Sequence, residues 1–178
     1  KDDGGDENYH LFAVNLTSGK TQDLTPFAGV RVGVVDDLEE VENEMLISMN
    51  QRRADVFDVY RLNLLNGEMK MVVENPGDFV GYLTDHAGKI RLAMAKNAAE
   101  NQNVVLYRQT EDEEFRPIIT TGFKDAVSPY FFTADNQMLY AASNLGRDKK
   151  ALVVIDPQSG NEVKLLFVAA AINESFLY

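Results

Sequence analysis

Short apolar segments separated by polar turns recur along the whole chain, and three of them share one pattern. In each, an apolar strand leads into a turn that ends in glycine, at Gly19, Gly67 and Gly160, and a second strand follows. The glycines are 67 − 19 = 48 and 160 − 67 = 93 residues apart, and 93 is about twice 47. A fourth member is expected near residue 113 or 114, where segment 104–115 carries acidic residues instead of the glycine. The chain is therefore a repeat with a period of about 47 residues.

A second series of apolar segments interleaves with the first. Its members are 44–50, 89–95 and 137–143, which start 45 and 48 residues apart. Each member follows another apolar segment across a polar turn, at 30–35, 79–84 and 127–133. Every period thus contains four short strands, labelled a to d in chain order, whose connections are short enough for antiparallel hairpins.

A repeated four-stranded antiparallel unit of this size indicates a β-propeller blade. A helical solenoid would need an apolar period of about 3.6 residues, which these segments lack, and a β-sandwich would not impose a constant interval. We therefore predict an all-β fold: a β-propeller of four-stranded antiparallel blades, with about three full blades, partial blades and an incomplete ring. The predicted divisions are strands c and d at 1–29, blades at 30–75, 76–122 and 123–168, and the start of another at 169–178. Open blade faces would be apolar patches, which favour self-association through the open blade edges.

Composition narrows the classes of partner and site. The 178 residues carry a net charge of −11, which disfavours nucleic acid as a partner. The longest apolar stretch, Leu165–Ile172, is too short to span a bilayer, so no membrane is expected. The absence of cysteine excludes disulfides, thiolate metal sites and a cysteine nucleophile, and leaves the compartment open between cytoplasm and periplasm. Because the chain starts at Lys1 without a methionine, it is expected to be a fragment.

Several segments carry a resemblance to a known family. They are Asp6–Phe27, Asp58–Leu64, Glu74–Asp78, and Leu145–Asp148 with Ala151–Asp156. Together they resemble the propeller of prolyl-oligopeptidase-type serine peptidases, on the acylaminoacyl-peptidase side of that family, from about residue 4 to 168. The resemblance implies a propeller that gates or orients peptide substrates for a C-terminal α/β-hydrolase domain with a Ser-Asp-His triad. That hydrolase domain is absent from this chain.

No catalytic residue is predicted in the chain itself. The Gly-x-Ser-x-Gly motif that exposes a hydrolase serine does not occur, and no spacing indicates a triad, a metal site or a cofactor. Whether the parent protein is an enzyme therefore depends on the resemblance. The alternative is a stand-alone β-propeller scaffold that binds proteins or peptides.

Histidines and acidic clusters add little to this picture. His10 and His86 have no spaced second ligand, so both are interpreted as packing or solvated residues. The segments 2–7 and 36–44 lack the alternating oxygen ligands of a calcium loop. Some dipeptidyl peptidases of the wider family hold the substrate's amino terminus with a propeller Glu pair. Glu39-Glu40 is formally such a pair, but a solvated a–b turn is the preferred interpretation.

Topology brings one group of charged residues together. In a meandering blade the d–a connections and the b–c turns lie at the same end, because alternate turns occupy alternate ends. This end, called the rim, carries the candidate binding residues Arg31, Arg52, Arg53, Asp55, Arg147 and Asp148. Its arginines are expected either to bind a carboxylate or a partner domain, or only to pair locally, as Arg147 would with Asp148.

Overall fold

A computed structural model describes residues 5–168, which contain fourteen β-strands and no helix. The strands are β1 (Phe12–Val14), β2 (Thr21–Asp23), β3 (Val32–Asp36), β4 (Glu44–Arg53), β5 (Val56–Asn63), β6 (Met69–Val73), β7 (Phe79–Thr84), β8 (Ile90–Asn97), β9 (Gln102–Tyr107), β10 (Arg116–Thr121), β11 (Val127–Phe132), β12 (Leu139–Ser143), β13 (Ala151–Ile155) and β14 (Glu162–Val168). They form one two-stranded sheet and three four-stranded sheets, all antiparallel. The predicted all-β fold of four-stranded blades is confirmed. The strand expected to start within 169–178 lies outside the described residues.

Each four-stranded sheet follows the order of the sequence. The half-blade is β1–β2, blade 1 is β3–β6, blade 2 is β7–β10 and blade 3 is β11–β14. The chain divides between Gly77 and Asp78 into two compact units. The first holds the half-blade and blade 1, and the second holds blades 2 and 3. No helix in the described part is long and apolar enough to cross a membrane.

The repeated glycine motif forms the same turn three times. The N–H groups of Gly19, Gly67 and Gly160 donate to the carbonyl of the Asn or Asp four residues earlier at 2.8, 2.9 and 2.8 Å. That residue's side chain also accepts an N–H two residues on, at Thr17, Leu65 and Gln158. All three glycines have positive φ, between 67° and 74°, which glycine adopts without strain. These c–d turns explain why the motif repeats with the blade.

In the first unit, the half-blade packs on blade 1. The Val32 N–H donates to the Tyr9 carbonyl at 2.9 Å, so the chain before β1 runs beside the start of β3. Six buried side chains form the shared core: Leu24, Val30, Ile47, Met49, Tyr60 and Leu62. Burial of such side chains supplies most of the stabilising free energy of a small sheet assembly.

In the second unit, one apolar core joins blades 2 and 3. Blade 2 contributes alternate residues of its strands, namely Leu92, Val105, Tyr107 and Ile119. Blade 3 contributes the facing set, namely Phe132, Leu139, Ala141, Ala151, Val153 and Ile155. The alternation places one face of each sheet in the interface, which is the period-2 pattern from which strands were predicted. The c–d turn of blade 3 also lies against blade 2, because a Cβ at Gly160 would be 2.2 Å from the Ile118 carbonyl oxygen.

Candidate functional site

The rim of the first unit is built from the chain before β3, the β4–β5 turn and the residues after β6. Strands β4 and β5 pair as far as Arg53 with Val56, so the b–c hairpin extends beyond the rest of the sheet. Arg31, Arg52, Arg53 and Asp55 all lie at this end. Each predicted side chain is held by a protein partner.

Arg52 is fixed by a buried carboxylate. Its Nε and Nη2 donate to the two oxygens of Asp58 at 2.9 and 2.8 Å, and Nη2 also donates to the Asn75 carbonyl at 2.7 Å. The Asp58 side chain is 0% exposed, whereas that of Arg52 is 33% exposed. The remaining nitrogen, Nη1, is 3.6 Å from Glu74, which is largely exposed. This bidentate geometry makes Arg52 a clamp between the b–c hairpin and the segment after β6.

The Asp58 carboxylate remains charged despite its burial. Burial by itself would raise its pKa, but hydrogen bonds from the Arg52 guanidinium and the Asn75 N–H outweigh this, so the pKa lies below its usual value. The Asn75 N–H bond to Asp58 is 2.8 Å long. Asp58 therefore orders two rim segments through one carboxylate.

Arg31 and Arg53 are held more loosely. Arg53 donates to Asp55 at 2.8 Å, and this bond lowers the pKa of Asp55; the two side chains are 49% and 73% exposed. Arg31 donates to the carbonyl of Glu7 at 3.0 Å and to its carboxylate at 3.2 Å. Exposed pairs of this kind contribute little to stability and exchange partners readily.

An asparagine ties the rim loops together in both units. In the first, Asn50 Oδ1 accepts the Arg31 N–H at 2.7 Å, and Nδ2 donates to the Ala54 carbonyl at 3.0 Å. In the second, Asn144 Oδ1 accepts the Ala126 N–H at 2.6 Å, and Nδ2 donates to the Lys124 carbonyl at 3.0 Å. The side chain satisfies loop backbone groups that would otherwise face water, so the loops have a defined conformation.

In the second unit, Arg147 pairs with Glu162 of β14 and also donates to the Ser143 carbonyl at 3.2 Å. The expected local pair with Asp148 is therefore wrong. Asp148 is exposed, and the b–c turn directs Arg147 across the sheet instead. Sequence reasoning missed Glu162 because it lies 15 residues away on another strand.

The histidines also have partners. His10 Nδ1 lies 2.8 Å from Asp23 on the neighbouring strand, and His86 Nε2 lies 3.2 Å from the Phe132 carbonyl oxygen. Within residues 5–168, no group of three or more His, Asp or Glu side chains is arranged to hold a metal ion. Glu39 and Glu40 lie in the β3–β4 connection, which is an a–b turn at the end opposite the rim.

Sequence reasoning also missed a buried polar cluster between blades 2 and 3. Arg91 donates to Asp85 and to the Arg108 carbonyl, both at 3.0 Å, and its guanidinium lies over the rings of Tyr107 and Phe132. Burial lowers the pKa of Arg108, which stacks 4.4 Å from the Phe115 ring. The only signal in the sequence is an arginine within an apolar strand, as in Ile90-Arg91-Leu92. The Arg91 guanidinium is bound by Asp85, the Arg108 carbonyl and the Tyr107 hydroxyl, so we assign the cluster to blade packing.

Comparison with known proteins adds a relative and a set of similar folds. No protein-family profile matches the chain. The chain is 30% identical over 177 residues to dipeptidyl aminopeptidase BIII of Pseudoxanthomonas mexicana. The alignment covers 96% of this chain and 25% of the relative. The chain thus spans about a quarter of the length of this curated relative.

Solved structures agree on the fold. A prolyl endopeptidase superposes with a TM-score of 0.59 at 11% identity, over 91% of this chain and 23% of that one. TolB from Acinetobacter baumannii superposes with a TM-score of 0.58 at 13% identity, over 90% of this chain and 38% of that one. The matching regions are β-propeller domains.

Proposed function

Because the chain is a β-propeller region of the prolyl-oligopeptidase family, we propose that it gates or orients peptide substrates for an α/β-hydrolase domain in a longer protein. The observation that carries this proposal is the alignment with dipeptidyl aminopeptidase BIII, which includes 96% of this chain but only 25% of the relative. A propeller without its own nucleophile would act on the reaction only by controlling access and orientation.

The rim of the first unit supplies a surface suited to this role. Asn50 and the Arg52–Asp58 clamp hold its loops, so a peptide would meet an ordered surface there and lose little affinity to loop ordering. Arg31 and Arg53 are about half exposed, and the carboxylates with which they form ion pairs are exposed as well. A peptide carboxylate would replace Glu7 or Asp55 at low cost. We therefore assign peptide or partner contact to Arg31 and Arg53, with Asp55 as a competing anion, and loop positioning to Arg52 and Arg147. Asp148 would contribute only exposed negative charge.

This assignment predicts a selective loss of carboxylate recognition in the longer protein. The double variant Arg31→Gln with Arg53→Gln should reduce the preference for a peptide with a free C-terminal carboxylate over its amide about fivefold. The loss should appear in KM, because a bond made equally in the ground and transition states does not change kcat. Cleavage of both peptides by the longer protein, followed by chromatography, measures the ratio.

The matched control is Lys20→Gln, which removes an exposed charge from a c–d turn at the end opposite the rim and should leave the ratio unchanged. An unchanged ratio in the double variant would contradict peptide binding by the rim arginines. If the gene encoded no hydrolase domain and this chain bound peptides alone, the stand-alone scaffold would replace the gating proposal.

A further inference from the structure

The c–d turn of blade 1, residues 63–67, contains the one Asn-Gly pair in the sequence, Asn66-Gly67. An asparagine followed by glycine is chemically labile, because the backbone nitrogen of the next residue can attack the side-chain carboxamide and glycine has no side chain to hinder it. The same position is Ser18 in the turn of the half-blade and Ser159 in the turn of blade 3. Among the three glycine turns, that of blade 1 alone has a carboxamide at this place.

Asparagine and serine have the same structural role in these turns. The Oγ atoms of Ser18 and Ser159 each accept the N–H two residues further on, at 3.4 and 3.3 Å. Asn66 Oδ1 accepts the N–H at the same place, that of Glu68, at 2.9 Å. The fold of the turn therefore does not require the carboxamide of Asn66.

The turn brings the Asn66 carboxamide to the nitrogen that attacks it. Because Oδ1 reaches the N–H of Glu68, Cγ lies beside the intervening peptide nitrogen of Gly67, and such proximity raises the rate of a reaction between two groups. The Glu68 N–H also donates to the oxygen on which negative charge develops during the attack. Asn66 is exposed, and nothing lies within 4 Å of where a Cβ on Gly67 would be.

One hydrogen bond opposes the attack. The Gly67 N–H donates to the Asn63 carbonyl at 2.9 Å, and the amide must lose this proton to become a nucleophile. The turn is closed a second time by the Asn63 N–H, which donates to the Glu68 carbonyl at 2.8 Å. Protons held in this way are released when the segment opens locally. The rate of attack therefore depends on how often the turn opens.

We propose that Asn66 is a modification site, at which the carboxamide is converted to aspartate and isoaspartate with water as the co-reactant. The Gly67 nitrogen forms a bond to Asn66 Cγ, its proton passes to the carboxamide nitrogen, and ammonia leaves, so that a cyclic succinimide remains. Water then opens the ring. Hydrolysis of the bond between Cγ and the Gly67 nitrogen gives aspartate, and hydrolysis of the bond to the main-chain carbonyl gives isoaspartate.

Isoaspartate would prevent the turn from closing again. It adds a methylene to the main chain between residues 66 and 67, so the two hydrogen bonds of Asn63 cannot both keep their lengths. Both products also add a negative charge beside Glu68, at an end where the Leu64 N–H donates to the Asn43 carbonyl and exposed Glu42 is the next residue. Opening of the turn thus permits the conversion, and the conversion in return favours the open turn.

Peptide mapping tests the proposal. The native protein is incubated at mildly alkaline pH, and trypsin then releases Asn66 within the peptide 62–70. Digestion in heavy-oxygen water marks any conversion that occurs during preparation. Mass spectrometry measures the converted fraction, and electron-transfer fragmentation separates isoaspartate from aspartate. Asn101 and Asn161 are the internal references, because they are also exposed but are followed by Gln102 and Glu162.

Asn66 should convert about tenfold faster than Asn101 and Asn161, with isoaspartate as the major product. The synthetic peptide 62–70, which lacks the hydrogen bonds of the folded turn, should convert about tenfold faster still. Conversion of Asn66 at the rate of the two references would overturn the proposal. Equal rates in the peptide and in the native protein would show that the hydrogen bond of Gly67 does not control the reaction.

Two variants isolate the consequence for the fold. Asn66→Ser has the residue type of the other two turns, so it should keep its thermal unfolding midpoint unchanged through the incubation. Asn66→Asp has the new charge without the additional methylene, and the incubated native protein should unfold at a lower temperature than this variant. Equal midpoints for these two would contradict the effect of the lengthened main chain. No readout depends on peptide cleavage, so the gating proposal stands or falls separately.

Discussion

Replacing Arg52 with Met should lower the thermal unfolding midpoint by about 8 °C at pH 7. The substitution retains much of the side-chain volume but leaves the fully buried Asp58 carboxylate without its cation. An uncompensated buried charge is among the most destabilising changes in a folded domain. Circular dichroism followed through heating measures the midpoint. Arg53→Met is the matched control: it removes a neighbouring arginine whose partner is exposed, and should shift the midpoint by less than about 2 °C.

The pH dependence separates a charge effect from a packing effect. In the native chain the pKa of Asp58 is lowered, so its stabilising contribution is complete above the unfolded value of 3.8 and is lost as pH falls through the folded pKa. In Arg52→Met, burial without a cation raises the pKa of Asp58, and protonation relieves the penalty. The difference in midpoint between the two proteins should therefore shrink from pH 7 towards pH 4. A difference that stays constant over this range would assign the loss to packing alone.

Gly160→Ala should reduce the free energy of unfolding by about 3 kcal/mol or more. The left-handed φ of 73° accounts for about 1 kcal/mol of this loss, since an L side chain adopts that conformation with strain. The larger part is steric, because the new Cβ would lie 2.2 Å from the carbonyl oxygen of Ile118. Backbone occupies that place, so blade 3 would have to shift away from blade 2. Urea unfolding at constant pH measures the loss.

Gly67→Ala is the control for the backbone cost. Gly67 occupies the same turn position with a φ of 74°, but nothing lies within 4 Å of the added Cβ. We expect a loss of about 1 kcal/mol there. If the two variants lost equal stability, the close approach of the blade 3 turn to β10 would be wrong.

The architecture was predictable because its signals are local. The alternation of apolar residues within 89–95 and the Asn-x-x-x-Gly turn at 63–67 each specify a strand or a turn from neighbouring residues alone. Few folds are compatible with strands and turns that repeat at a constant interval. The position of segment 104–115 in the period identifies it even though it lacks the turn glycine, and it forms most of β9 and the connection to β10.

The rim was predictable only as a location. A meander places the d–a connections and the b–c turns at one end, and Arg31, Arg52 and Arg53 lie there. Their partners depend on the register of the paired strands and on the positions of the β-bulges, because these determine which side chains point towards each loop. Arg147 illustrates this, since its nearest acid in sequence is Asp148 but its partner is Glu162 on the strand that runs back past it.

The sequence by itself determined the strands, the turns, the period and hence the blade, because each arises from contacts between residues close in the chain. Tertiary structure decided two other things: that Asp58 is buried under Arg52, and that Gly160 lies against the backbone at Ile118. These depend on the distance between groups far apart in sequence. A pattern of polar and apolar residues indicates which side chains will be buried or will form ion pairs and hydrogen bonds. Only the packed chain determines which residues they contact.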